Sequence, residues 1–465
     1  MPTPYRLQDN KTSKADDPGI MDLLSTDLAS EIAGRSLGDV ASRGSVLVFP
    51  PTLGDSEDLD ESQVILERVG DGVRTGNVMG VIGMGDDELT ICSRFSKDDK
   101  DDYFLNHMLQ RVFAPNVVDL RISFGMRESY FDLLPLLFPE YLTRAVSKGV
   151  LRAYVRREHD DSHFRGSLDV GRFIAHDIPF MGSVAYSTRE YDSDNPVTEL
   201  VRHTIEHLGA SPLGRLLSKT PEVVDAVSAV RSATPRYARG DRRRVIEANR
   251  KAPVRHRYYS GYLELQRLCL AILTHRWVSL REDSGKVHGI LFDGAWLWEE
   301  YVNTLVGERF FHPRNRAGEG KQYLFNGDTG LIYPDFISLD DSPRIIADAK
   351  YKPSDNIYGG DYLQVLAYMY RFDSSLGLFL HPEDPSRSGS SKDQDLLLLQ
   401  GANIPQPESA GERCRESAPC VRKIGLEIPG VGAQSYQDFR KQMDGQEKKF
   451  VDRVGESLPQ APTST

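Results

Sequence analysis

Long apolar runs and paired cysteines are both missing from this sequence of 465 residues. No apolar run approaches the roughly 18 residues of a membrane span, and the opening Met1–Arg6 lacks the apolar core of a signal peptide. The four cysteines contain no C-x-x-C pair, which argues against a zinc knuckle or a disulfide framework. We therefore expect a cytoplasmic protein without membrane contact, in which Cys414 and Cys420 are free surface thiols.

A phosphate-binding loop of the G-x-x-x-x-G-K-S/T type is also absent, because Gly318–Lys321 is too short to form one. This absence predicts that the chain binds no nucleotide. Apolar residues make up 39% of the chain and charged residues 27%, which suffices for two or three domain cores.

Acidic charge is concentrated near the beginning of the chain. Residues 1–102 hold 21 Asp and Glu against 10 Lys and Arg, which accounts for the whole net charge of −11. Within the balanced remainder, Arg231–Arg257 contains ten basic and two acidic residues. Such a stretch favours phosphate contact, which gives DNA affinity that depends on salt but carries no sequence information.

The basic residues that we single out for DNA binding are Arg236, Arg239, Arg242, Arg243, Arg244, Arg250 and Lys251. Tyr237, Tyr258 and Tyr259 would add base stacking. The alternative is a solvated helix face, or a patch that pairs with the acidic N-terminal region.

Two short segments place carboxylates and a lysine where adjacent strands would meet, Tyr333–Phe336 and Ile345–Lys350. The alternation of a strand turns Asp348 and Lys350 to one face. Carboxylates that hold Mg²⁺ would stabilise an anionic transition state and supply hydroxide near neutral pH, as phosphodiester cleavage requires. A bare D-x-K pattern is common, however, and an ordinary strand with a surface Asp and Lys is the alternative.

Helices are predicted on both sides of these segments. Phe292–Val306 has an apolar stripe that Glu299 borders, whereas Glu300 is offset toward solvent, so that Glu299 is the better metal or water ligand. In the later helix, Gln364 and Tyr368 lie one turn apart, from where they would hydrogen-bond DNA or the lysine.

The order of these elements resembles the PD-(D/E)XK nuclease superfamily, in the subset that carries a Q-x-x-x-Y helix. Four segments are more specifically similar to the McrC family, namely Ser162–Arg172, Asp192–Leu200, Leu297–Val302 and Asp348–Lys352. That family supplies the nuclease subunit of the McrBC 5-methylcytosine-specific restriction system. The similarity extends from about residue 75 to about residue 380.

The resemblance implies a Mg²⁺-dependent DNA endonuclease subunit of an anti-phage restriction system, with Mn²⁺ as a possible substitute. Asp335 and Asp348 would hold the metal with help from Glu299, and Lys350 would activate or position water. Gln364 and Tyr368 would shape the strand-binding side.

The resemblance also implies partners. These are double-stranded DNA, which is methylated in the case of the family's namesake, and a separate McrB-like AAA+ GTPase motor that the chain docks on and stimulates. Two alternatives stay open. One is a regulatory adaptor that uses the fold as a DNA clamp without cutting, and the other is a stand-alone DNA repair nuclease.

We expect an α/β multidomain chain. Residues 1–95 would form an acidic β-rich region and candidate partner-docking domain, with 1–45 ordered only in part. A mixed, mainly helical region would follow at 96–285, then a PD-(D/E)XK nuclease domain at 286–455 and a disordered tail at 456–465.

Two histidine spots have structural and functional interpretations. His163 and Arg165 would touch DNA, or their segment would be a turn at Gly166 with a packed Phe164. His203 and His207 have the spacing of metal ligands on a helix, but a surface pair is the better interpretation because the sequence offers no third ligand.

Overall fold

The structure is a computed structural model that describes most of the chain. The described residues are 3–43, 45–49, 63–96, 102–113, 126–218, 220–256, 258–259, 261–274, 287–313, 321–339, 344–384, 394–399, 419–430, 433 and 435–458. Contacts divide the chain into unit 1, Met1–Pro115 with Gly289–Thr465, and unit 2, Asn116–His288. Helices and several separate sheets confirm a mixed α/β fold.

The elements follow in chain order. The N-terminal part of unit 1 contains β1 (Thr3–Gln8), β2 (Thr12–Ser13), α1 (Ile20–Leu24), α2 (Asp27–Ile32), α3 (Leu37–Arg43), β3 (Ser45–Phe49), β4 (Leu66–Val69), β5 (Gly72–Thr75), β6 (Val78–Met84), β7 (Asp87–Cys92) and α4 (Tyr103–Phe113). Unit 2 contains α5 (Met126–Val146), β8 (Ala153–Asp161), β9 (Ser167–Leu168), α6 (Val170–His176), β10 (Val184–Asp192), α7 (Pro196–Gly209), α8 (Pro221–Ala233), α9 (Arg242–Lys251) and α10 (Gly261–Thr274). The C-terminal part of unit 1 contains β11 (His288–Asp293), α11 (Gly294–Val306), β12 (Phe310–Phe311), β13 (Gln322–Phe325), β14 (Thr329–Ile332), β15 (Phe336–Ser338), β16 (Ile346–Ala349), α12 (Gly360–Arg371), β17 (Leu376–Glu383), β18 (Gln394–Leu397), β19 (Cys420–Glu427) and α13 (Tyr436–Glu456).

A five-stranded N-terminal sheet has the strand order β1-β7-β6-β11-β3. Its fourth strand, β11, comes from beyond unit 2 and lies against β6 at close range. Gly80 and Gly289 make this approach possible, because a Cβ at either residue would lie 2.1 Å from a carbonyl oxygen of the other strand. Both also have positive φ, at 138° and 156°.

The sequence-based domain boundaries differ from this arrangement. The segment that was predicted to open the nuclease domain, near residue 286, supplies a strand of the N-terminal sheet instead. Residues 1–115 group with residues 289–465 by their contacts. The division into domains at 95, 285 and 455 stays a prediction, and the predicted tail at 456–465 lies mostly outside the described residues.

Residues 3–43 are more regular than the sequence suggests. They form β1, β2 and three short helices, where the sequence led us to expect partial order. The reason is that widely spaced apolar residues, among them Leu7, Leu23, Leu28 and Ile32, are buried. β1 runs parallel to β7, a pairing of residues about 85 positions apart that no local pattern indicates.

The second large sheet of unit 1 has the order β12-β15-β16-β17-β19-β18. β15 is antiparallel to β16, whereas β16, β17 and β19 are parallel to one another. The apolar run Leu376–Leu380 at the start of β17 suits a strand that is covered on both faces. Helix α12 connects β16 to β17 and packs on the sheet, where the Tyr362 ring lies 5.7 Å from that of Phe379.

Unit 2 combines a three-stranded antiparallel sheet, ordered β8-β10-β9, with helices that pack mainly on one another. Helix α5 continues through Pro135 and Pro139. Among the helices that the structure describes in either unit, none is long and apolar enough to cross a membrane.

One buried carboxylate ties α13 to both α4 and α11. Glu447 accepts hydrogen bonds from the Tyr301 hydroxyl at 2.6 Å and from His107 Nε2 at 2.7 Å, and it also pairs with Arg111. Burial alone would raise the pKa of Glu447, but the hydrogen bonds of His107 and Tyr301 and the charge of Arg111 lower it below its usual value. Glu447 thereby fixes the helix that carries Glu299.

Replacing Glu447 by Gln should lower the free energy of unfolding by about 2 kcal/mol at pH 7, because the buried donors of His107 and Tyr301 and the partly exposed Arg111 lose a charged acceptor. A lowered folded-state pKa gives stability that is present above the ordinary value of 4.5 and lost as pH falls through the folded value. Urea unfolding at neutral and acidic pH measures this. The difference in free energy of unfolding between the variant and the wild type should shrink in acid. A difference that does not depend on pH would contradict the role given to the Glu447 carboxylate. Glu308→Gln, at an exposed site, is the control.

Candidate active site

Two carboxylates lie at the junction of β15 and β16. Asp335 immediately precedes β15, and its Oδ2 accepts a hydrogen bond from the Ala349 backbone N–H at 2.7 Å. Asp348 is the third residue of β16 and is only 1% exposed. Because β15 and β16 are antiparallel, with Phe336 opposite Ala347, the two acids approach the same strand end.

Lys350 lies between these acids and α12. Its Nζ is 2.9 Å from Asp348 Oδ2 and donates to Gln364 Oε1 at 3.1 Å. Burial alone would lower the pKa of Lys350, but the charges of Asp348 and Asp335 raise it above its usual value. The alternation predicted from the sequence is therefore present, and both acids act on one ammonium group.

A chain of hydrogen bonds continues from Lys350 through α12. Gln364 Nε2 donates to the Tyr368 hydroxyl at 2.9 Å, and that hydroxyl donates to the Tyr333 carbonyl at 3.3 Å. Tyr333 precedes Asp335 by two residues, so the chain closes on the segment where it began. Of the two roles that the sequence left open for Gln364 and Tyr368, bonding to the lysine is the one seen here.

Glu299 and Glu300 are both near a histidine that the sequence did not single out. His312 Nε2 lies 3.7 Å from Glu299 Oε1 and 4.0 Å from Glu300 Oε1, and both glutamates are partly exposed. The other ring nitrogen, Nδ1, donates to the Asp335 carbonyl at 2.7 Å. The ring also stacks on Phe336, with centroids 5.0 Å apart. No short motif marks His312, which simply follows the short strand β12.

The predicted metal ligands are not assembled as a set of three. Over the described parts of the chain, no group of three or more His, Cys, Asp or Glu side chains could hold a metal ion. Asp335 and Asp348 converge on Lys350, whereas Glu299 is placed beside His312. Two carboxylates still match the needs of Mg²⁺, which keeps several waters and is often held by one or two carboxylates.

Three of the basic residues proposed for DNA binding lie beside carboxylates of unit 2. These are Arg236 with Asp192 at 4.0 Å, Arg243 with Glu247 at 3.3 Å and Arg244 with Asp241 at 2.8 Å. The arginines are largely exposed, so these pairs contribute little to stability. Arg239, Arg250 and Lys251 are exposed as well.

Arg242 differs from its neighbours because it supports the fold. Its guanidinium donates to the Leu273 carbonyl at 2.9 Å, in the last turn of α10. A cation at this end of a helix satisfies a carbonyl and opposes the negative end of the helix dipole.

The histidine spots are both in unit 2. His203 is buried against Tyr237, with ring centroids 4.7 Å apart, so the interpretation as a surface pair with His207 is wrong for this residue. Phe164 is about half exposed although its ring contacts Tyr186. Gly166 allows a close strand approach, because a Cβ there would lie 2.1 Å from the Ser187 carbonyl oxygen.

The positions of the cysteines can be compared with the expectation that Cys414 and Cys420 are surface thiols. Cys92 and Cys269 are buried and free, and Cys420, the first residue of β19, is free and half buried. Cys414 lies outside the described residues.

Comparison with known families places the chain. The model of a family described as "McrBC 5-methylcytosine restriction system component" matches residues 73–382, which is more than half of the sequence. The chain belongs to this McrBC component family. The resemblance to the McrC family that the motifs indicated is thereby confirmed. The matched residues, 73–382, agree closely with the range predicted from the sequence. No curated protein matches the chain.

Two solved structures of a Thermococcus gammatolerans assembly are distantly similar. One, described as a refined half-complex from a tetradecameric assembly of McrB AAA+ hexamers with bound McrC, is 15% identical and covers 95% of this chain and 100% of its own, with a TM-score of 0.42. The other, of the McrBC complex, is 14% identical and covers 66% and 87%, with a TM-score of 0.28. These scores are too low to decide fold or function.

Arg242→Ala should destabilise the protein by about 1 kcal/mol, because the Leu273 carbonyl loses its donor at the end of α10. Arg243→Ala is the matched control, since its side chain is 93% exposed. Thermal unfolding of the full chain measures both variants. Equal melting temperatures for the two would contradict the structural role of Arg242.

Proposed function

We propose that this chain is the Mg²⁺-dependent DNA endonuclease subunit of a McrBC-like restriction system that acts against phage. The observation that carries the proposal is the Asp348–Lys350 pair, joined at 2.9 Å, with the Asp335 carboxylate bonded to the intervening Ala349. The order of α11, β15, β16 and α12 supports the PD-(D/E)XK arrangement.

Asp335 and Asp348 would hold the metal. Bound Mg²⁺ would polarise the scissile phosphate and lower the pKa of an attacking water, and Mn²⁺ accepts the same oxygen donors. Lys350 would orient that water and offset the charge that develops on the phosphate. Gln364 holds the ammonium in place, and Glu299, beside His312, would bind a water of the metal's outer shell.

The partner would be a McrB-like AAA+ GTPase that this chain binds and stimulates. Membership of the McrBC component family supports this, and so does the lack of a phosphate-binding loop in the sequence. Double-stranded DNA, methylated as the family description suggests, would be the substrate. The acidic residues 1–95 remain the candidate docking region.

The non-cleaving adaptor and the stand-alone repair nuclease predict different activities. An adaptor would stimulate nucleotide hydrolysis without cutting, whereas a repair nuclease would cut without a motor. The Asp348–Lys350 pair argues against the adaptor, since a DNA clamp does not require it.

Asp348→Asn should reduce DNA cleavage by about a thousandfold or more, because it removes a metal-binding charge while keeping the side-chain shape. Cleavage of methylated plasmid DNA is measured with Mg²⁺, GTP and the genomically adjacent motor subunit. Complex formation with that subunit should not change.

The control for Asp348→Asn is Asp328→Asn, the same chemical change at an exposed turn residue. It should cut like the wild type. Cleavage by Asp348→Asn at the wild-type rate would contradict the assignment of Asp348 to the cleavage site. Equal cleavage with and without the motor would favour the stand-alone nuclease.

The exposed basic residues should contribute to DNA binding through phosphate contact. In the triple variant Arg239→Ala, Arg243→Ala, Arg250→Ala, the slope of log affinity against log salt should become shallower by about 3, since each phosphate contact contributes about 0.9. A fluorescence binding titration at several salt concentrations measures the slope.

The matched triple variant Lys441→Ala, Lys448→Ala, Lys449→Ala removes the same charge from exposed positions on α13. It should leave the slope nearly unchanged. An identical change in both triple variants would mean that overall charge, rather than the basic stretch, sets the affinity.

A further inference from the structure

Tyr351, the residue after Lys350, is anchored in the N-terminal sheet. Its buried hydroxyl lies 2.6 Å from Ser93 Oγ, just after β7, and 3.3 Å from Met79 Sδ in β6. The Phe95 N–H donates to Ser93 Oγ at 3.1 Å. The set is satisfied if Ser93 donates to Tyr351 and Tyr351 donates to Met79.

The ring of Tyr351 is held by the same segment. The Arg94 guanidinium lies over it at 5.0 Å from the centroid, a cation–π distance, and the Phe95 ring meets it edge-on at 5.2 Å. Arg94 is fixed in turn by the fully buried Asp9, which accepts from the Arg94 backbone N–H at 2.5 Å and from Nε at 2.8 Å.

The start of α11 leaves room for this ring. A Cβ on Gly294 would lie 2.8 Å from Tyr351 Cε1, so the glycine allows close contact. The Leu380 carbonyl accepts from both the Lys350 N–H at 2.9 Å and Trp298 Nε1 at 3.1 Å. The backbone is therefore held at Lys350 by β17 and one residue later by the N-terminal sheet.

We propose that Tyr351 is a positioning residue, through which Ser93, Met79 and Arg94 of the N-terminal region hold Lys350 in reach of Asp348 and Gln364. The proposal rests on the function proposed for that centre. The side chain of Tyr351 contacts Ser93, Met79 and Arg94, so it would act on Lys350 through the backbone. Misplacing a catalytic group by about 1 Å costs up to about a hundredfold in rate, so a modest loss of anchoring has a measurable effect.

The first test does not depend on cleavage. Amine-reactive labelling of the full chain, followed by mass spectrometry, reports how firmly the Lys350 ammonium is held. Tyr351→Phe and Ser93→Ala should each raise the labelling rate of Lys350 about fivefold, the worth of one hydrogen bond. Tyr370→Phe, whose side chain is 91% exposed on α12, should leave it unchanged. Wild-type labelling rates in both anchoring variants would overturn the proposal.

The second test measures cleavage by the complete complex. Tyr351→Phe and Ser93→Ala should each lower kcat about tenfold with KM nearly constant. The double variant should lose less than the product of the two single losses, because the two side chains share one hydrogen bond. Lower thermal stability with unchanged kcat and labelling would mean a purely structural role and overturn the proposal. Faster Lys350 labelling in variants of a wild type that cuts no DNA would uphold the positioning role and reject the proposed function.

Discussion

The ion pair between Asp348 and Lys350 determines how the other side chains of the candidate centre are held. A buried carboxylate costs several kcal/mol unless a cation and further hydrogen bonds compensate it. Lys350 supplies the cation, and a second of its three N–H donors is taken by Gln364. Gln364 in turn donates a hydrogen bond to the Tyr368 hydroxyl, which donates to the Tyr333 carbonyl. One ion pair thereby ties the strand end, α12 and the segment before Asp335 together.

The N-terminal sheet supports the same strand end from its other side. Tyr351 lies against residues of β6 and of the segment after β7, and β11 completes that sheet just before α11 begins. Glu447 then fixes α11 to α13. The acidic N-terminal region is therefore part of the structural support of the candidate centre, in addition to any role in docking a partner.

Local patterns were sufficient to predict which side chains lie together at this strand end. Strand alternation places Asp348 and Lys350 together, and helical spacing places Gln364 one turn from Tyr368. Local patterns could not predict the pairing of strands that are far apart in the sequence. β11 pairs within a sheet whose other strands lie about 200 residues earlier. His312 reaches the Asp335 carbonyl only because β12 pairs with β15. The preference for Glu299 over Glu300 rested on helix offsets, yet both lie at similar distances from His312.

The central claim is that Asp335 and Asp348 bind a divalent metal beside Lys350. Crystals of the full chain soaked in Mn²⁺, with data collected at the manganese edge, test it most directly. We expect an anomalous peak about 2 Å from carboxylate oxygens of both aspartates. A well-ordered centre without such a peak, in a protein that cuts DNA with Mn²⁺, would contradict it.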